Sequence, residues 1–230
     1  MPAPLRLAVC GATGRTGSRV AALAALDPRF RLVERVDSSR AKAFESEVPA
    51  CDAVVDFSVP DASVRFAAAC ARAGVPIVIG TTGLSVVQNA QVARAAAKVP
   101  VFLSPNFSRG VTLLLHLARE AARLAPDLDA AIVESHHKGK KDAPSGTALR
   151  LAQAVMEGRR TTDAVPTSSL RVGGVVGEHA LTLAGPHETL ELSHRAGSRD
   201  LFAAGALDAA AWVARKKPGL YDMLDLMGLK

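Results

Sequence analysis

Apolar runs of strand length recur through the first half of the chain. Residues 5–10, 31–36, 53–57, 76–79 and 100–103 each read as a buried strand. Between them, residues 15–26, 61–73 and 84–98 carry apolar positions at helical spacing, and Gly74 stands just past the second of these, where a helix terminator belongs. Such alternation predicts a parallel sheet covered by helices on both faces. The pattern changes near Phe107–Ser108. A helix over 109–124 is followed by a strand over 128–136, a helix over 145–156 and a loop rich in Gly, Arg and Thr. Three strand-like runs follow over 170–176, 179–184 and 190–196, with turns at Gly177-Glu178 and Gly185-Pro186-His187-Glu188, and they predict an antiparallel meander beside helices. A helix over 199–217 and an apolar tail over 219–228 close the chain, without repeats or low-complexity linkers.

Composition narrows the class. Apolar residues make up 49% and charged residues 22%, the balance of a globular chain that can bury a core. The longest uncharged run, residues 73–93, is interrupted by Pro76, Gly80, Gly83, Gln88 and Asn89, which argues against a membrane span. Met1-Pro2-Ala3-Pro4 leads straight into a strand pattern with no signal peptide, so a cytoplasmic location is expected. Cys10, Cys51 and Cys70 form no C-x-x-C pair, and neither a disulfide framework nor a cysteine zinc site is expected. The net charge of +6 would suit nucleic acid, but the chain has seven Phe, one Trp, one Tyr and no reader motif. A basic site for a small anion is expected instead, with no nucleic-acid or membrane partner.

The stretch VCGATGRTG places Gly11, Gly14 and Gly17, with Arg15 and Thr16 among them, between a strand and a helix. Glycines allow a tight turn and close approach of backbone to a pyrophosphate, and the helix N-terminus supplies N–H groups. The spacing G-x-x-G-x-x-G also fits an ordinary glycine-rich turn. Glu34, ending the second strand, strengthens the dinucleotide reading, because an acid there accepts hydrogen bonds from ribose hydroxyls. Arg35 beside it, or Arg15, is placed to meet a 2′-phosphate, so NADH and NADPH both remain open. Two further loops, Gly80-Thr81-Thr82-Gly83 and Ser104-Pro105-Asn106-Phe107, follow strands and are expected to border the nicotinamide.

The most unusual stretch is ESHHKGKKDAPSGTALRLA, residues 134–152. Alternation along a strand puts Glu134 and His136 on one face and Ser135 and His137 on the other, so the adjacent histidines chelate one metal poorly, and no metal is expected. Pro144-Ser145-Gly146-Thr147 opens a helix, with Ser145 or Thr147 as its cap and free N–H groups facing outward. Lys138, Lys140, Lys141 and a histidine surround that helix tip with charge, an arrangement suited to a dianionic substrate and to proton delivery. Lys138 and Lys141 are expected to be solvated.

These motifs, GATGRTG, VVDFS, IGTTG, SPNFSRGV, ESHHKGKKDAPSGTA, GEHALTLAG and LSHRAGSRDLFAAGAL, occur in an order that resembles the 4-hydroxy-tetrahydrodipicolinate reductase family from about Leu5 onward. The resemblance implies an α/β fold: an N-terminal Rossmann-like dinucleotide-binding domain, residues 1–107 with 200–230, plus a smaller α+β domain with a mixed sheet, residues 108–199, for substrate binding and oligomerisation. It implies hydride transfer from NADH or NADPH to a cyclic imine dicarboxylate in the diaminopimelate route to lysine. His136 and Lys140 would donate protons, and His137, Lys140, Ser145, Gly146, Thr147 and Arg199 would hold the carboxylates. A homotetramer is the family's usual assembly. Two departures stand out: only twelve residues separate Ser39 from Asp52, where the family usually carries more, and Arg109 replaces a small or apolar residue, so that it adds charge near the cleft or only faces solvent. The competing readings are a dehydrogenase of another amino-acid precursor, of the aspartate type, and a non-catalytic nucleotide-binding protein. The number of cations argues against the first, and intact His136, Lys140 and Arg199 against the second.

Overall fold

The computed structural model describes residues 3–230. In chain order its elements are β1 (Leu5–Cys10), α1 (Arg15–Leu26), β2 (Phe30–Val36), α2 (Ala41–Ser46), β3 (Ala53–Asp56), α3 (Pro60–Ala73), β4 (Ile77–Ile79), α4 (Val86–Ala96) and β5 (Pro100–Leu103). There follow α5 (Arg109–Leu124), β6 (Asp129–His136), α6 (Gly146–Arg159), β7 (Thr167–Arg171), β8 (Glu178–Ala184), β9 (Thr189–Arg195), α7 (Asp200–Val213), β10 (Gly219–Tyr221) and α8 (Met223–Met227). Two compact units result, one running up to Phe107 and resuming at Asp200–Lys230, the other Ser108–Arg199.

The first unit is built on a six-stranded sheet in the order β10-β5-β4-β3-β1-β2, with every pairing parallel. Strands β3 and β4 are buried at every position, as expected of strands covered on both faces. On one face Leu7, Val9, Val55, Val78 and Phe102 pack with Val20 of α1 and Leu207 and Val213 of α7. On the other, Ala8, Val54, Ile77, Ile79 and Val101 pack with Phe44 of α2, Phe66 of α3 and Val92 of α4. Helix boundaries follow local chemistry. Pro60 opens α3, Gly74 closes it in the left-handed region at φ 72°, and Ser85 with Gln88 forms a capping box on α4. The sheet order reverses across β1, which lies between β2 and β3, the switch point at whose carboxyl edge sheets of this kind bind ligands.

The second unit has a four-stranded mixed sheet, β7-β6-β8-β9. Its inner face, with Ile132, Leu181 and Leu183, packs on Leu114 and Ala118 of α5 and Leu151 and Val155 of α6. The expected three-strand meander is corrected here. Only β6, β8 and β9 are antiparallel neighbours, whereas β7 runs parallel to β6 on its other side and ends at Arg171, not 176. Two glycines, Gly173 at φ 51° and Gly174, break the strand, and α6 provides the crossover that a parallel neighbour requires. The last long helix also stops earlier than its apolar pattern suggested, at Val213, and the apolar tail forms β10 and α8. No helix among the described residues is long and apolar enough to cross a membrane.

Candidate functional site

In the first unit the glycine turn follows β1. Gly11 has φ 71°, and a Cβ there would run into the Phe57 carbonyl; one at Gly17 would run into the carbonyl of Gly11. Gly14 caps α1 without a side chain and no acid lies in the first turn, so no side chain caps the leading amides. That turn fits a pyrophosphate. Arg15 is exposed and Thr16 half-buried beside it.

Glu34, half-buried in β2, is bound by Arg40, whose Nε lies 2.6 Å from its carboxylate, while Arg35 is exposed. The sequence reading missed Arg40; its only signal was a guanidinium six residues beyond the ribose-type acid. The loop after β4 is equally constrained, since a Cβ on Gly80 would strike the Phe57 ring. Thr81 is buried and donates to Asp56 at 3.3 Å, and Thr82 is exposed. Asp56 is fully buried; burial pushes its carboxyl up, against hydrogen bonds from Ser58, Ser63 and Thr81. After β5, Ser104 donates its hydroxyl to the Asn106 carbonyl at 2.6 Å, and Phe107 stacks on Phe102. These loops, 11–17, 80–82 and 104–107, all leave the carboxyl edge of the one parallel sheet.

In the second unit the basic stretch connects β6 to α6. Ser145 is the cap of α6, its hydroxyl accepting from Ala148 N–H at 3.2 Å, which decides between the two candidate caps. Gly146 and Thr147 form the first turn. Glu134, fully buried on β6, takes His136 Nδ1 on Oε2, and on Oε1 both Arg171 at 2.8 Å and the Ser145 amide at 3.3 Å. Burial alone would raise the Glu134 carboxyl, but hydrogen bonds from Arg171, Ser169 and His136 outweigh it and hold it at about 2. Burial lowers His136 from its ordinary value, opposed by Glu134 and aided by Lys140 and Arg171. His179 on β8 is lowered to about 4, first by burial and then by His136, and its Nε2 meets the Ser145 hydroxyl at 3.2 Å.

Of the residues singled out from sequence, His137 and Arg199 come together, Arg199 Nη2 lying 2.9 Å from His137 Nε2. Lys140 is held by Asp142, with contacts of 2.8 and 2.9 Å. Lys138 and Lys141 are exposed, and Arg109 is exposed at the start of α5. The reading missed Arg171, Asp142, His179 and His194. Asp142 lay inside the quoted motif, and His179 and His194 are cross-strand partners whose pairing shows only once β8 and β9 are registered. Glu134, His136 and His179 bring three donor atoms within 4.8 Å of one another, a spacing that would suit a metal ion. Arg171 bonded to the same carboxylate, with the Lys140 charge acting on both histidines, opposes a divalent cation there.

Comparison with known proteins gives a consistent result. Residues 5–107 match the family model described as "Dihydrodipicolinate reductase, N-terminus", and residues 110–227 match "Dihydrodipicolinate reductase, C-terminus". A 4-hydroxy-tetrahydrodipicolinate reductase of Caulobacter vibrioides is 42% identical, with all of both chains covered. One from Anaeromyxobacter dehalogenans is 41% identical, with 98% of each covered. Among solved structures, the dipicolinate-bound dihydrodipicolinate reductase of Paenisporosarcina sp. TG-14 shares the fold at a TM-score of 0.83 and 22% identity, covering 96% of this chain and 98% of its own.

Proposed function

Because the chain belongs to the dihydrodipicolinate reductase family and so carries 4-hydroxy-tetrahydrodipicolinate reductase activity, an oxidoreductase step of lysine biosynthesis, we propose that residues 136–147 with Arg199 hold its dicarboxylate and protonate it. One observation supports this reading most: His137, Lys140, Arg199 and the open first turn of α6 gather in a single unit, where two carboxylates would find both cations and N–H donors. The dipicolinate of the Paenisporosarcina reductase is a ligand of the same chemical class.

A nicotinamide cofactor, when bound, supplies a hydride. The turn at Gly11, Gly14 and Gly17, with the amides of Arg15 and Thr16, would receive its pyrophosphate. Glu34 would take the ribose hydroxyls, Arg35 and Arg40 would supply charge for a 2′-phosphate, and the 80–82 and 104–107 loops would border the ring. NADH and NADPH are both proposed as substrates. In the second unit, Arg199 and His137 orient one carboxylate and the Ser145–Thr147 turn the other. Lys140 or His136 gives a proton as the 4-hydroxyl leaves as water, so that one hydride and one proton enter for each water released. Lys140, half-buried, must first exchange its exposed partner Asp142 for the substrate.

A homotetramer in the cytoplasm is part of the same proposal. Val133 and Leu170 are exposed on the outer face of the mixed sheet, with Ala131 and Ala180 on the same face, and these apolar positions would pair with other copies. The test of function is direct. Purified protein should oxidise reduced nicotinamide only when 4-hydroxy-tetrahydrodipicolinate, generated enzymatically, is present, and it should accept both NADH and NADPH. Oxidation that does not depend on the dicarboxylate would refute it.

A further inference from the structure

We infer that the buried Glu134–Arg171 pair is a positioning device for His136, fixing its proton on Nδ1 and leaving Nε2 as the nitrogen that exchanges a proton. The inference rests on reading His136 as a proton donor. Glu134 and His136 sit two residues apart on β6 and so share its inner face, and Arg171 of β7 is registered directly against His136 in the parallel pairing. The sheet thus delivers a carboxylate to the imidazole and a guanidinium to the carboxylate without any loop.

Each contact has a role. Glu134 has no solvent exposure, and an isolated carboxylate there would take up a proton. Arg171, which also donates to the Asp142 carbonyl at 2.6 Å and the Leu170 carbonyl at 2.6 Å, keeps it ionised. An ionised Glu134 only accepts hydrogen bonds, so the Nδ1 it contacts must carry the hydrogen. At Nε2, a Cβ on residue 177 would lie 3.0 Å away, so glycine at that position keeps a residue-177 side chain off this nitrogen. The protonated ring therefore gives up its Nε2 hydrogen, the leaving hydroxyl or the substrate nitrogen accepts it, and neutral Nδ1–H imidazole remains bound to an unchanged carboxylate. The pair acts as an orienting carboxylate does behind a catalytic histidine.

The groups that face His136 are Glu134 on its own strand, Arg171 on β7, His179 on β8 with its ring centroid 5.2 Å away, and Lys140 in the connecting loop, with His194 of β9 behind His179. Of these only Glu134 favours the cation. Removing either partner should therefore move opposite limbs of the pH profile. In Glu134→Gln the imidazolium loses its counter-charge, so the alkaline limb of kcat should move about one unit to lower pH. In the same variant kcat should fall roughly a hundredfold, with KM for the dicarboxylate within about threefold of the parent. In Arg171→Gln the buried carboxylate takes up a proton more readily, so the acid limb should move to higher pH.

The experiment is the pH dependence of kcat and KM for the parent, Glu134→Gln, Arg171→Gln and His136→Gln. Parent-like turnover in His136→Gln would remove the donor reading itself. Loss of turnover in His136→Gln with unshifted limbs in Glu134→Gln and Arg171→Gln would leave His136 as donor and overturn the positioning device. If a buried variant fails to fold, nitrogen NMR of the parent decides: a neutral His136 protonated on Nδ1 supports the device, and one protonated on Nε2 overturns it.

Discussion

Arg40 changes the meaning of Glu34. An acid at the end of β2 opposes a 2′-phosphate by charge, but here a guanidinium 2.6 Å away pairs with it, and in the proposed cofactor site it would add a cation to that of Arg35. The short link between Ser39 and Asp52 brings Arg40 to this position within a six-residue helix and its cap, and no strand forms in that segment. Arg40→Ala should therefore raise KM for NADPH roughly tenfold, the effect of one lost charge-assisted phosphate contact, and leave KM for NADH near the parent value. Steady-state kinetics with both cofactors checks this, and an equal change for the two would place Arg40 outside the adenosine pocket.

Among the elements, β6, β7 and β8 carry a cost that acid should reveal. His179 is held at about 4 against an ordinary 6.5, chiefly by burial and by His136. Between those values the unfolded chain binds a proton that the folded sheet refuses. The stabilising contribution is complete above pH 6.5 and is lost as pH falls toward about 4. Glu134 behaves likewise at lower pH: it stabilises above its ordinary 4.5, and that contribution is lost as pH falls toward about 2. Thermal midpoints should thus begin to fall below pH 6.5, and His179→Gln should flatten the decline between pH 6.5 and 4. An equally steep decline in that variant would mean that another group dominates.

The same elements show what the sequence made legible. Parallel strands buried on both faces announce themselves as continuous apolar runs, and β1, β3, β4 and β5 lie where those runs are. The strand β7 was misplaced because Thr167-Ser168-Ser169 has little apolar signal, while Val172, Val175 and Val176 look like strand but follow or flank the glycines that end it. Local motifs marked the catalytic candidates, since Lys140, Ser145 and the two histidines lie in one stretch. The groups around them come from β7, β8 and β9, and their pairing depends on register, which no short motif encodes.

For the whole molecule, the proposed chemistry divides by unit. Glycine-rich turns at the edge of a parallel sheet suit a cofactor bound through its phosphates, and the cations His137, Lys140 and Arg199 with the first turn of α6 suit a dicarboxylate. The chain is also lean: the Anaeromyxobacter alignment runs over 265 positions against 230 residues here, so that relative carries additional residues. Sedimentation at micromolar concentration should return a tetramer, and a monomer would leave the outer apolar sheet face without its proposed partner.

The most direct measurement compares the parent with Lys140→Met under saturating cofactor and enzymatically generated 4-hydroxy-tetrahydrodipicolinate, with nicotinamide binding followed separately by calorimetry. The expected result is loss of turnover by roughly a hundredfold or more with cofactor affinity unchanged, because a proton donor and carboxylate ligand is removed without touching the glycine turn. Turnover at the parent rate in Lys140→Met would contradict the assignment of the basic stretch as the site of protonation.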